Sequence, residues 1–155
     1  ADVDALIKEQ PNNPYFWELK GNLQFWQGQH RDSVINLRKA NQMLGGNEPL
    51  IQTHLAQSLL ATEDPAMLDE GIALLRRAVV TDGDNPTAYS LLAKGLYNKG
   101  QLPQADLAAA QAHFISGDVK QAQIFAKRAQ VKLQRGTPDW IKSEDIVTYK
   151  IPKDQ

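Results

Sequence analysis

Cysteine is absent from the 155 residues, which excludes disulfides, thiolate nucleophiles and cysteine-ligated zinc. That absence fits cytoplasm and periplasm alike. No stretch of 18 apolar residues occurs, so nothing in the sequence reads as a membrane-spanning helix. The opening ADVDALIKEQ lacks a basic start and an apolar run, and does not read as a signal peptide. A strong charge of either sign is missing too. The 17 Lys and Arg stand against 18 Asp and Glu, a balance that argues against a nucleic-acid partner. Histidine is scarce: His30, His54 and His113 have no second histidine three to five residues away. A zinc site would need all three to converge in space. No Ser-His-Asp order and no isolated carboxylate pair stands out, so the sequence offers no catalytic constellation and no metal site.

What is present is helix. Apolar residues make up 42% of the chain, enough for a core. They recur three and four apart almost throughout, with few strand signals. Asn13-Pro14, Asp64-Pro65, Asn85-Pro86 and Thr137-Pro138 each set a capping side chain before a proline at the first helical position. Asp118 with Gln121 resembles a capping box. The pattern predicts helices over 2–10, 14–27, 31–44, 49–62, 66–81, 86–99, 103–116, 118–134 and 138–147. Connections of two to six residues make neighbouring helices antiparallel.

Laid over one another, the segments repeat. Gly21, Ala56 and Ala93 are the small residues midway through the first helix of each pair. Ser33, Gly71 and Ala105 fall early in the second helix, with Ala40, Ala78 and Ala112 seven residues further on. Gly71 to Ala105 is 34 residues, a helix–turn–helix period of tetratricopeptide (TPR) length. Gly21, and likewise Ala93 in helices 86–99 and 103–116, is read as buried where the two helices of a pair come closest. Gly28, Gly100 and Gly117 are read as helix ends in the left-handed conformation that glycine adopts cheaply. A phosphate-binding loop would instead cluster its glycines between a strand and a helix.

The expected fold is all-α: antiparallel helix hairpins in a TPR superhelix, a right-handed α-solenoid, with a C-terminal capping helix. Residues 1–147 form the array. Residues 1–10 read as the end of a truncated repeat, as if cut from a longer protein, and 14–44, 49–81 and 86–116 as repeats. From Gly100 to Gly117, Ala105 to Ala122 and Ala112 to Ala129 the spacing is 17, half a period, so 103–134 reads as an overlapping last hairpin. The Trp140 helix, 138–147, caps the stack, and 148–155 is a flexible tail.

The segments NPYFWELKGNLQFWQGQHRDSVINLRKANQML, EPLIQTHLAQSLLATEDPAMLDEGIALLRRAV and NPTAYSLLAKGLYNKGQLPQADLAAAQAHFISGDVKQAQIFAKRA resemble TPR repeats. Together with the closing LQRGTPDWIKSEDI, their order resembles the C-terminal TPR tail of BepA-type bacterial periplasmic zinc metallopeptidases. That resemblance implies a periplasmic protease and chaperone acting on outer-membrane proteins. This chain would be its substrate-recruiting or regulatory part, with zinc expected only in an upstream H-E-x-x-H domain. It would be no enzyme itself and would hold no cofactor. The alternative is a stand-alone TPR scaffold or adaptor that assembles a complex of unrelated function.

First helices of such arrays line a concave groove. Projecting into it in that register are Tyr15, Glu18, Asn22 and Phe25, then Leu50, Thr53, Gln57 and Leu60, then Thr87, Ser90, Lys94 and Tyr97. Asn22, Gln57 and Lys94 are equivalent and would bond a peptide backbone in a row, flanked by the aromatic residues. Trp17, Leu23, Leu55, Leu59, Leu92 and Leu96 are expected in the core. Some eukaryotic TPR modules clamp a chaperone's terminal carboxylates with Lys, Asn and Arg. The matching positions here are Glu18, Asn22, His54, Thr87 and Leu91, and only Asn22 fits. The expected partners are protein or peptide segments, such as unfolded outer-membrane proteins or the parent's catalytic domain, with no nucleic acid and no membrane insertion. Charge adds one further feature. Residues 1–118 carry 9 basic and 14 acidic side chains, residues 119–155 carry 8 and 4. Helix 118–134, with Lys120, Lys127, Arg128, Lys132 and Arg135, is either a solvated face or a docking surface for something acidic.

Overall fold

Proline and its caps set the helix starts. In the computed structural model, which describes residues 2–153, Asn13, Glu48, Asp64, Asn85, Asp118 and Thr137 each accept a backbone N–H from the first turn they precede. The described residues form nine helices: α1 Asp2–Glu9, α2 Pro14–Trp26, α3 His30–Met43, α4 Pro49–Ala61, α5 Pro65–Thr81, α6 Pro86–Asn98, α7 Leu102–Ile115, α8 Val119–Lys132 and α9 Pro138–Val147. Helix ends are set as regularly. Gly28, Gly100 and Gly117 have φ of +78°, +81° and +85°. In each case the next residue's N–H reaches back to the carbonyl five residues earlier, at 2.9 Å. Glu63, at φ 59°, holds the corresponding place after α4.

The chain divides into two compact units, Ala1–Gly83 and Asp84–Gln155. In the first, α2 pairs with α3 and α4 with α5, α3 packs on α4, α2 touches α4, and α1 lies on α2. The core is aliphatic: Val34, Leu37, Ile51, Leu55, Leu59 and Leu75 are all at most 1% exposed. Gly21 is where the α2–α3 pair closes. A Cβ there would stand 2.5 Å from Leu37 Cγ and 3.2 Å from its backbone nitrogen. The Ser33 hydroxyl donates to the Gly21 carbonyl at 2.7 Å. Ser33 has one proton, so the 2.8 Å bond to Ser58 must be donated by Ser58. This buried chain ties α2, α3 and α4 together.

In the second unit α7 packs against α6 on one side and α8 on the other, and α9 covers both α7 and α8. The core combines Leu92, Leu96 and Leu107 with many alanines. Ala110, Ala122 and Ala126 have no exposure and close around Ile146, with Phe114, Phe125 and Val147 against them. Tyr149, just past α9, sets its ring edge-on to Phe114, and Gln123 donates to the carbonyls of Ile146, Val147 and Tyr149. One expectation is corrected here. Ala93 is half-buried rather than buried, and it borders an open depression of about 280 Å³ with Ser90, Ala109, Ala112, His113 and Ser116. Repeat spacing aligns Ala109 with Leu37 and Leu75, so the side chain that fills this place in the first unit is missing.

Candidate functional site

The face of α2 that turns away from α3 carries the expected groove residues of the first repeat. Tyr15, Asn22, Trp26, Leu19 and Leu23 fall within an arc of about 100° on a helical projection, with Glu18 and Phe25 at its border toward α4. Tyr15 is 61% exposed, Trp26 79%, Leu19 43% and Leu23 44%. Phe25 is half-buried, edge-on to Trp26 and tilted against His30, with ring centroids 5.3 and 5.2 Å apart.

At the border α2 and α4 are joined through His54. Its Nδ1 lies 3.0 Å from Glu18 Oε1 and 3.4 Å from the Asn22 amide nitrogen. A carboxylate only accepts, so the shorter bond places the proton on Nδ1, donating to Glu18. The Asn22 amide hydrogens then remain for other acceptors. Glu18 is held in a largely buried position, 14% exposed, while His54 keeps 29%. Gln57 sits half-buried one turn further along α4, and Leu50, 56% exposed, stands at its start. The result is a face of large apolar side chains edged by fixed polar groups, which suits an apolar segment with free backbone groups.

Several expected positions fall elsewhere. Thr53 is 4% exposed and its hydroxyl donates to the Pro49 carbonyl one turn back at 2.7 Å, so it does not line the face. Leu60, 6% exposed, is also core, over Gly71 of α5. Leu23, expected in the core, is surface instead. Trp17 is half-buried, donating its indole N–H to the Pro11 carbonyl with the Lys39 ammonium 3.9 Å above its ring. Leu55, Leu59, Leu92 and Leu96 are core as expected. In the second unit Thr87, Ser90, Lys94 and Tyr97 all lie on the exposed side of α6, and Tyr97 is 67% exposed. Trp26 and Leu19 were missed by the sequence reading. The signal was available in the spacing of Tyr15, Leu19, Leu23 and Trp26, four, four and three residues apart.

Among the described residues no group of three or more His, Asp or Glu is placed to hold a metal ion. None of the described helices is long and apolar enough to cross a membrane.

No protein-family model matches the chain. The solved structure of MamA superposes with a TM-score of 0.70 over 94% of this chain and 80% of that one, at 16% identity. TTC0263, a thermophilic TPR protein of Thermus thermophilus, superposes with a TM-score of 0.55 over 94% and 87%, at 12% identity. The fold is therefore that of a tetratricopeptide-repeat protein, all-α and built from consecutive hairpins. In sequence, the chain is 30% identical over 108 residues, 68% of its length, to the formate-dependent nitrite reductase complex subunit NrfG of Escherichia coli O157:H7. It spans about half, 54%, of that relative's length.

Proposed function

We propose that this chain is an adaptor that holds a protein segment against the α2–α4 face, within a multi-protein assembly. The observation that carries this reading is the exposed arc of Tyr15, Leu19, Leu23 and Trp26 beside the Glu18–His54–Asn22 cluster. Four large apolar side chains on one arc of a helix exceed what scattered surface exposure provides. Aromatic anchors of this kind carry most of the energy in protein interfaces. The name of the distant relative, a subunit of a complex, favours assembly over catalysis. The narrower expectation is a recruiting tail of a periplasmic zinc metallopeptidase and chaperone for outer-membrane proteins. It draws no support from the relatives found, and its location and zinc remain part of that proposal alone.

Site-specific photocrosslinking tests the adaptor. A photoreactive residue at position 26 is expected to give a discrete adduct with one protein in native extract, and the same residue at Arg76 of α5 is expected to give none. Tyr15→Ala should reduce the adduct from position 26. Adducts of equal yield from both positions, or from position 76 alone, would remove the α2–α4 face as the site.

A further inference from the structure

The outward arc of α8 is a second surface, independent of the first. Lys127, Lys120, Val131, Ile124 and Arg128 follow one another around about 100° of a helical projection, and all are exposed. Ile124 is 57% exposed and Val131 83%. The helix contains no acidic residue. Arg128 is already engaged, bidentate to Asp106 at 2.7 and 2.9 Å and stacked over Phe125 at 4.6 Å. Arg135 lies over the Trp140 ring. Among the described residues Lys120 and Lys127 have no carboxylate partner.

The first unit shows what occupies these two positions elsewhere in the same repeat. An offset of 89 residues carries α3 onto α8, aligning Gly28 with Gly117, Ala40 with Ala129 and Pro49 with Pro138. It also aligns Arg31 with Lys120 and Arg38 with Lys127. Arg31 is paired with Asp64 at 3.5 Å, and Arg38 binds Glu70 with two contacts of 2.7 and 3.3 Å. Both carboxylates belong to the start of α5. In the second unit α9 takes the place of α4. Among the described residues no carboxylate meets the basic pair on α8 as Asp64 and Glu70 meet Arg31 and Arg38.

We propose that α8 docks an acidic helix of a partner protein, with carboxylates about two turns apart meeting Lys120 and Lys127 and aliphatic side chains resting on Ile124 and Val131. Opposite charge sets the register, and the aliphatic pair supplies the apolar contact.

The probe is a fluorescently labelled synthetic helix with Glu two turns apart and Leu between, read by anisotropy on the intact chain. Its lysine counterpart and phosphatidylglycerol vesicles serve as comparisons. The acidic peptide should bind, weaken with added salt, and lose about tenfold in affinity with Lys120→Glu plus Lys127→Glu. The lysine peptide should bind that reversed variant instead of the wild type, which shows that the variant is folded. Trp26→Ala should leave acidic-peptide binding unchanged, separating this surface from the α2–α4 face. Equal binding of the acidic peptide to both forms would overturn the proposal. So would loss of binding in Trp26→Ala alone, or binding of vesicles in place of the peptide.

Discussion

The two units solve the same packing problem with different side chains. In the first, the second helix of a pair sends Leu37 or Leu75 into the core, and the opposing first helix must give way to Gly21 or Ala56. In the second, Ala109 and Ala126 stand at the same repeat position. Alanine facing alanine lets helices approach without interdigitation, and where it does not close fully a depression remains beside Ala93. Polar chemistry differs in step. Ser33 and Ser58 bond each other and the Gly21 carbonyl in the first unit, while repeat spacing puts Ala105 and Gly95 at the equivalent places in the second. One repeat pattern therefore tolerates a filled, hydrogen-bonded joint and a bare one. Each side chain has to match only its opposite number.

Substitutions that exchange the two solutions test this. The largest effect is expected for Leu37→Ala, a fully buried leucine over a glycine, which should cost about 2–5 kcal/mol. Ala109→Leu, the reverse exchange, should change stability by less than about 1 kcal/mol because the side chain enters existing space. Urea unfolding followed by tryptophan fluorescence measures both, with Trp17 and Trp26 reporting the first unit and Trp140 the second. Equal costs at the two sites would mean that the units are packed alike.

Gly21→Ala comes next. Helix propensity favours alanine by about 1 kcal/mol, but a Cβ 2.5 Å from Leu37 Cγ must displace a buried side chain. A net loss of about 1–2 kcal/mol is expected. Ala93→Leu should remain within about 1 kcal/mol of the wild type. A midpoint that falls for Ala93→Leu and holds for Gly21→Ala would reverse the assignment.

Ser33→Ala removes a second bond to the Gly21 carbonyl and strands the Ser58 hydroxyl, a loss of about 1–3 kcal/mol. Adding Ser58→Ala should recover part of it by removing one stranded group, and a thermodynamic cycle over the two sites would show the coupling. Strict additivity would mean that the two hydroxyls act separately.

The smallest effect separates two helix caps. Asp64 caps α5 with a carboxylate that the N–H groups of Ala66 and Met67, and then Arg31, hold below its ordinary value, whereas Asn85 caps α6 with a neutral amide. A depressed carboxylate contributes fully above its unfolded pKa, and the contribution is lost as pH falls through the folded value. Acid titration of Asp64→Asn should therefore show a shallower decline on the acid side than the wild type. An unchanged acid limb would mean that the charge at this cap adds nothing.

The helices and their pairing follow from local chemistry. Proline with a capping side chain has one low-energy place in a helix, and glycine at positive φ has one at its end, so both ends of most helices were legible from local chemistry. The 34-residue spacing then fixed which small residue faces which second helix. Which arc of each helix is covered depends on packing between distant segments. Periodicity gives the angle of a side chain around its own axis, and coverage depends on the neighbours that axis acquires. Leu23 and Ser58 are equivalent in register. Ser58 is buried because α3 lies against α4, while Leu23 stays exposed although the short helix α1 lies on α2. Ala93 loosened because its opposite number is Ala109. Local propensity acts within a few residues, whereas each of these outcomes was set by a residue or a vacancy on another part of the chain.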